Sequence, residues 1–269
     1  MSSREDLEAV ADDLEAEEQI LDDLVADLDD DGWDAMTVAE GWTVRHTIGH
    51  LASSEELAAV AATDEEEFRA VLADVIENLE EFESGLPPEI AALSNAELLE
   101  RWRSTRDTTI DAVRAKDPDD RIAWVGPSMK GRAFLTARLM ETWSHGRDIF
   151  DALGQPPPPA SERLRHIAHL GAVTRAFAYA NRGREAPGAE VRIELDAPSG
   201  GDLWTWGPAD ATDRVTGPAE DFCLVVSQRR NVADTALVVE GDAASDWMTI
   251  VQCFAGPATD PPAPGTRLP

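Results

Sequence analysis

With 53 acidic against 23 basic side chains in 269 residues, the chain carries a formal charge of -30, a field that repels nucleic acid and anionic lipid and argues against both as partners. Its length suffices for one large domain or two ordinary ones, each with its own core. Only Lys116 and Lys130 are lysines, which leaves 21 arginines, and together with acids crowding the helix faces this predicts a halophilic protein whose surface repulsion is screened by salt.

The opening MSSREDLEAV places acids where a secretory leader needs an apolar core, and no run nears the roughly 18 apolar residues of a membrane span. A cytoplasmic location is therefore expected. From Glu5 to about Asp29, Leu7, Val10, Leu14, Leu21, Leu24, Val25 and Leu28 form one stripe of an amphipathic helix. A second helix is predicted after Thr43, running through Ile48 and Leu51 towards Val60. Thr63 and Glu66 read as a capping box for a third, bearing Phe68, Val71, Leu72, Ile76, Leu79 and Phe82 and ended by Gly85, Pro87 and Pro88. Ser94 and Glu97 read as another box, opening a helix with Leu98, Trp102, Ile110 and Val113 that Asp117 and Pro118 close. Ser128 is expected to cap a helix through Phe134, Leu139, Trp143 and Ile149 to Leu153, stopped by Gly154 and by Pro156 to Pro159.

That proline block reads as a hinge between domains 1–155 and 156–258, with a loose proline-rich tail over 259–269. Beyond it, Ser161 to about Asn181 is helical in pattern. Val191, Ile193 and Leu195, then Trp204 and Trp206 across a Ser199-Gly200-Gly201 turn, alternate as a β-hairpin. A helix over Ala219–Gln228, a strand over Ala236–Glu240 and a helix over Ala243–Phe254 complete a small α+β domain. Cys223 and Cys253 form no CxxC pair and read as buried small hydrophobes.

Of five histidines, His145 lies four residues after Glu141 in ETWSHG, so on a helix both side chains leave one face a turn apart. On spacing alone a surface pair is the simpler reading. Phe134, Ala137 and Ala152 share that sector, however, and an inward carboxylate and imidazole need partners or a metal. His50, in GWTVRHTIGHL, is a third candidate ligand, with a hydrogen-bonded core histidine as the alternative and His46 as its more exposed neighbour.

GWTVRHTIGHL followed by ARLMETWSHGRDIFDALG resembles the DinB-like superfamily, in the branch containing mycothiol-dependent maleylpyruvate isomerases, and the segments VRIEL, WTWGP, DFCLVVSQRR and WMTIVQCFAGP resemble the C-terminal domain of metal-binding relatives in that branch. The resemblance implies an α+β protein: an N-terminal up-down four-helix bundle with an extra helix, then a small α+β domain. It also implies that His50, Glu141 and His145 are metal ligands. Relatives usually carry Asp where His46 stands, a departure that bears on hydrogen bonding at the start of the second helix.

Two imidazoles and a carboxylate leave a four-coordinate ion one open position, the arrangement of catalytic zinc, although iron and nickel accept the same donors. The resemblance implies that a low-molecular-weight thiol, mycothiol or a counterpart, is deprotonated there for an isomerase or S-transferase reaction on a small-molecule substrate. A non-catalytic metal-binding module and a metal-water hydrolase are the other readings of these donors. Asp148 is a candidate to accept the second imidazole proton or orient a thiol's amide, against a surface acid paired with Arg147 or Arg165. Arg229, with Arg230 in SQRR, is a candidate clamp for a substrate carboxylate, against a surface ion pair. A monomer or a homodimer fits equally well.

Overall fold

A computed structural model of the chain describes residues 3–78 and 84–266. These divide into two compact units, Met1–Pro156 and Pro157–Pro269. No described helix is long and apolar enough to cross a membrane.

In the first unit, four long helices, α1 (Arg4–Val25), α3 (Val44–Thr63), α6 (Asn95–Arg114) and α7 (Gly131–Leu153), form a bundle in which α1 packs mainly on α7 and α3 mainly on α6. The apolar stripe of α1 is buried at Leu7, Val10, Leu14, Leu21 and Val25, and a Ser3–Asp6 capping box starts it. That helix stops short of Asp29 because the Asp29 side chain instead accepts the Gly32 N–H and caps α2 (Asp30–Trp33), which drives Trp33 into the core. Trp33 meets Val44, Ile48, Leu51, Leu98, Trp102 and Ile149 there.

The extra helix, α4 (Glu65–Glu77), is capped by Asp64, whose carboxylate accepts from the Glu66 and Glu67 amides, and not by Thr63, whose hydroxyl turns back to the Ala59 carbonyl. Leu79 and Phe82 lie outside the described residues. A short α5 (Pro88–Ala91) follows, and the Ser94–Glu97 capping box opens α6 as expected. Ser128 caps no helix. It precedes β2 (Met129–Lys130), which pairs antiparallel with β1 (Arg121–Ile122), and its hydroxyl accepts from Arg121 Nε at 2.8 Å. Gly154 takes the left-handed φ of 62° that ends α7.

The second unit opens with two helices where one was expected, α8 (Leu164–Val173) and α9 (Arg175–Ala180). They break at Thr174, whose hydroxyl donates to the Leu170 carbonyl. The hairpin pairs β3 (Val191–Asp196) with β4 (Trp204–Trp206) in the register Ile193 to Trp206 and Leu195 to Trp204. A strand without a clear sequence signal, β5 (Asp213–Pro218), lies parallel to β3, and β6 (Val238–Glu240) completes the order β4-β3-β5-β6. Two short helices, α10 (Ala219–Val226) and α11 (Asp242–Met248), pack on β5. Asp213 accepts the Ala243 and Ala244 amides at the start of α11, and Gly241 at φ 88° is what lets its carboxylate approach, since a Cβ there would lie 2.4 Å from it. The segment expected as a loose tail is tied down: Gln228 donates to the Thr259 carbonyl, Asn231 to the Pro262 carbonyl, and the Gly265 amide to Asp234. Prolines have no N–H of their own to give, but their carbonyls and the residues between them hold the chain here. Both cysteines are buried, and the Cys223 thiol donates to the Leu164 carbonyl at 3.4 Å.

Candidate metal centre

The GWTVRH segment builds the start of α3. Arg45 donates to Asn95 and to the carbonyls of Ala91 and Leu93, fastening α3 to the turn between α5 and α6. A Cβ on Gly49 would stand 2.3 Å from the Gly85 carbonyl, so glycine lets the chain before α5 lie directly on this face of α3, next to His50.

His46 takes the place of the acid at the third position of the capping box: the Thr43 N–H donates to its Nδ1 at 3.2 Å, with the Thr43 hydroxyl 2.9 Å from the same nitrogen. An acceptor Nδ1 cannot carry a proton. Burial, followed by the charge of Arg45, lowers the His46 pKa below its ordinary 6.5. With the folded value below the unfolded one, the cap's contribution is complete above pH 6.5 and is lost as pH falls from there through the folded value. Replacing His46 with Asp, which stays an acceptor well below that range, is expected to recover about 0.5–2 kcal/mol at mildly acidic pH. Thermal melts of the two proteins at neutral and mildly acidic pH check this, and parallel losses would refute it.

His50 projects from α3, and Glu141 and His145 project from α7. One donor atom from each lies within 4.8 Å of the other two. His145 Nε2 and Glu141 Oε2 are 3.4 Å apart, close to the roughly 3.3 Å edge of a tetrahedron whose arms are the ~2.0–2.2 Å bonds of zinc to nitrogen and oxygen. The other ring nitrogen of His145, Nδ1, lies 3.5 Å from the Asp148 carboxylate, which is buried one turn further along α7 and is no surface acid. The imidazole planes of His50 and His145 meet at 60° with centroids 4.9 Å apart. Trp42 covers both, stacked at 16° on His145 and 5.3 Å from His50.

Burial pushes the Glu141 carboxyl up, but the hydrogen bond and charge of His145, with the charges of Arg138 and His50, outweigh it and bring the pKa down to about 2. The donor set thus fits a divalent ion: two imidazoles and a carboxylate already ionised, with a second-nitrogen partner for one imidazole. Trp42 and Arg138 lie inside the quoted motifs GWTVRHTIGHL and ARLMETWSHGRDIFDALG, yet the sequence marks neither as a ligand or catalytic residue. Arg229 belongs to the second unit, just past α10, where its Nη1 donates to the Ser227 carbonyl at 2.8 Å, while Arg230 is buried and donates to the Arg229 carbonyl.

A family model described as the mycothiol maleylpyruvate isomerase N-terminal domain matches residues 14–150, just over half of the chain. Another, described as wyosine base formation, matches residues 187–240. Uncharacterized proteins from two strains of Mycobacterium tuberculosis are each 46% identical over 245 residues, covering 91% of this chain and 95% of the relative. The crystal structure of a mycothiol-dependent maleylpyruvate isomerase matches with a TM-score of 0.55 at 18% identity, covering 90% of this chain and 98% of that one. A mutant of that enzyme gives the same score over 85% and 92%. At that identity the structures speak for a shared fold, which agrees with the helical bundle and small α+β unit. The matched family model decides the kinship: this chain belongs to the mycothiol maleylpyruvate isomerase N-terminal domain family, the DinB-like branch that its GWTVRHTIGHL and METWSHG segments resemble.

Proposed function

We propose that His50, Glu141 and His145 hold one divalent metal ion, zinc foremost, and that the protein is a thiol-dependent isomerase or S-transferase of the maleylpyruvate isomerase type. The observation that carries this reading is the convergence of three donor atoms from two separate helices within 4.8 Å. When bound, the ion supplies a Lewis acid at which a low-molecular-weight thiol loses its proton at neutral pH. Zinc leads over iron and nickel because that chemistry needs no redox change.

The chain's own residues have separate tasks in this scheme. Asp148, 3.5 Å from His145 Nδ1, would hold that nitrogen's proton and fix the ring's orientation once Nε2, which faces Glu141, gives up its own proton to free a lone pair for the ion. Glu141, held ionised, needs no proton removed before it binds a cation. Trp42 lies against both imidazoles and keeps water from that side. Arg229 is a proposed carboxylate-binding residue within the second unit, where its Nη1 also donates to the Ser227 carbonyl.

Asp148→Asn keeps the side chain's shape but replaces one acceptor oxygen with a donor amide that opposes the same His145 tautomer. We expect metal affinity about 10–100-fold weaker, as for loss of other outer-shell partners. Competition with a chromophoric chelator measures it, and unchanged affinity would remove Asp148 from the site. The function itself is tested by elemental analysis of the purified protein, followed by turnover of maleylpyruvate and simple electrophiles with mycothiol and other cysteine-containing thiols. Stoichiometric metal with thiol-dependent turnover is expected. Metal without turnover across these thiols would favour a binding module.

A further inference from the structure

Arg138 stands one turn before Glu141 on α7, yet almost none of its side chain reaches solvent (5% exposed). Its Nη1 donates to Ser54 Oγ at 3.2 Å and lies 3.7 Å from the Glu55 carboxylate, itself 1% exposed. Ser54 gives its own proton to the Leu51 carbonyl, so its lone pairs are what face the guanidinium. The Arg138 guanidinium also lies 5.1 Å above the Trp124 ring, which stacks on Phe68 and meets Phe134 edge-on. Ser54 and Glu55 sit one turn beyond His50 on α3. A single buried side chain therefore joins the two helices that supply the three candidate ligands, about one turn from the ligands on each.

Stability does not account for such a pair. Taking a guanidinium and a carboxylate out of water costs several kcal/mol per ion, and apolar residues of similar bulk usually serve a core as well or better. What apolar packing lacks is direction: a planar guanidinium bonded to a hydroxyl, 3.7 Å from a carboxylate and lying over an aromatic face, fixes how α3 and α7 sit along and around one another. Ligand geometry needs that direction, because donors must hold position to within about 0.5 Å. We propose that Arg138, braced by Glu55 and Ser54, is a positioning residue of the metal centre. This rests on the reading of His50, Glu141 and His145 as ligands.

The test uses the full chain. Zinc affinity by chelator competition, the visible spectrum of the cobalt-loaded protein and thermal stability without metal are compared across variants. Arg138→Met with Glu55→Leu fills the core with apolar bulk. We expect it to melt no lower than wild type, yet to bind zinc about 10–100-fold more weakly, in the range of outer-shell losses, with an altered cobalt spectrum. Arg138→Lys, which keeps the charge and loses the fork, is expected to fall between the two. Glu56→Gln, which removes the Arg101–Glu56 pair joining α6 and α3 elsewhere, is expected to leave affinity unchanged. A double variant binding zinc as tightly as wild type, with the same cobalt spectrum, overturns the positioning role. If that variant fails to fold, Arg138→Lys decides alone: undiminished affinity overturns the role, and weaker binding at an unchanged melting temperature supports it. A wild-type chain that takes up neither zinc nor cobalt overturns the ligand assignment beneath it, and this role with it.

Discussion

His145→Ala is expected to yield a folded protein whose zinc content drops from about one equivalent per chain to a small fraction of that, a loss of affinity beyond the roughly 100-fold upper range for outer-shell partners. His145 touches each of the centre's other described members, Glu141, Asp148, His50 and Trp42. Its Nε2 is 3.4 Å from Glu141, its Nδ1 is 3.5 Å from Asp148, and its ring packs against those of His50 and Trp42. Without it, one imidazole and one carboxylate remain, too few to hold an ion against a moderate chelator. The stability cost should be small, on the order of 1 kcal/mol for the lost aromatic contact, so fold and metal content separate cleanly. His46→Ala is the matched control, because its imidazole caps α3 and offers nothing to the centre. Metal content unchanged in His145→Ala would refute the ligand assignment.

The Glu141–His145 pair was legible because a four-residue helical spacing puts both on one face whatever surrounds them. His50 was legible only through a resemblance, since a lone histidine on an apolar helix carries no signal of what the fold brings opposite it. The same limit hid Arg138 and Glu55: each looks like one more surface charge in a chain with 28% charged residues, and only packing reveals that both are buried. The hairpin at Val191 and Trp204 was readable from alternation, whereas β5 was not, because DRVTGP offers one branched aliphatic residue, Val215, and ends in Gly-Pro. Asp213, which begins that strand, is buried for a reason no local pattern contains, the capping of α11 thirty residues later. Cap positions were read one residue astray where two candidates adjoined, as at Thr63 and Asp64: Asp64 has the extended backbone of a cap and its carboxylate accepts the free amides, while the Thr63 hydroxyl is engaged by the carbonyls of the preceding helix.

Buried charge continues across the bundle from Arg138, and it sets up the largest stability effect expected here. Arg106 on α6 is buried, donates to the Asp22 carboxylate at 2.9 Å and the Glu18 carbonyl at 3.1 Å, and lies 4.5 Å over the Trp102 ring. Asp22 has a second cation, Arg103, which grips it through two bonds. Glu18 is less well served: burial, then the charge of Glu55, pushes its carboxyl well above the usual 4.5, and Arg106 is the cation that opposes this. Arg106→Leu removes it, and the expected loss is about 1–3 kcal/mol, the cost of leaving the Glu18 carbonyl and one Asp22 lone pair without their buried donor while Arg103 still holds Asp22. The pH dependence has a definite sign. A carboxyl whose folded pKa exceeds its unfolded 4.5 holds its proton more tightly in the native state, so its penalty is absent below 4.5 and grows as pH rises towards the folded value. Removing Arg106 raises Glu18 further, so the variant's deficit should be widest at neutral pH and should shrink as pH approaches 4.5. Urea unfolding at several pH values reads both quantities. A deficit under about 1 kcal/mol, typical of an exposed pair, would mean that water reaches this layer, and the case for directed charge beneath the metal-binding helices would fall with it.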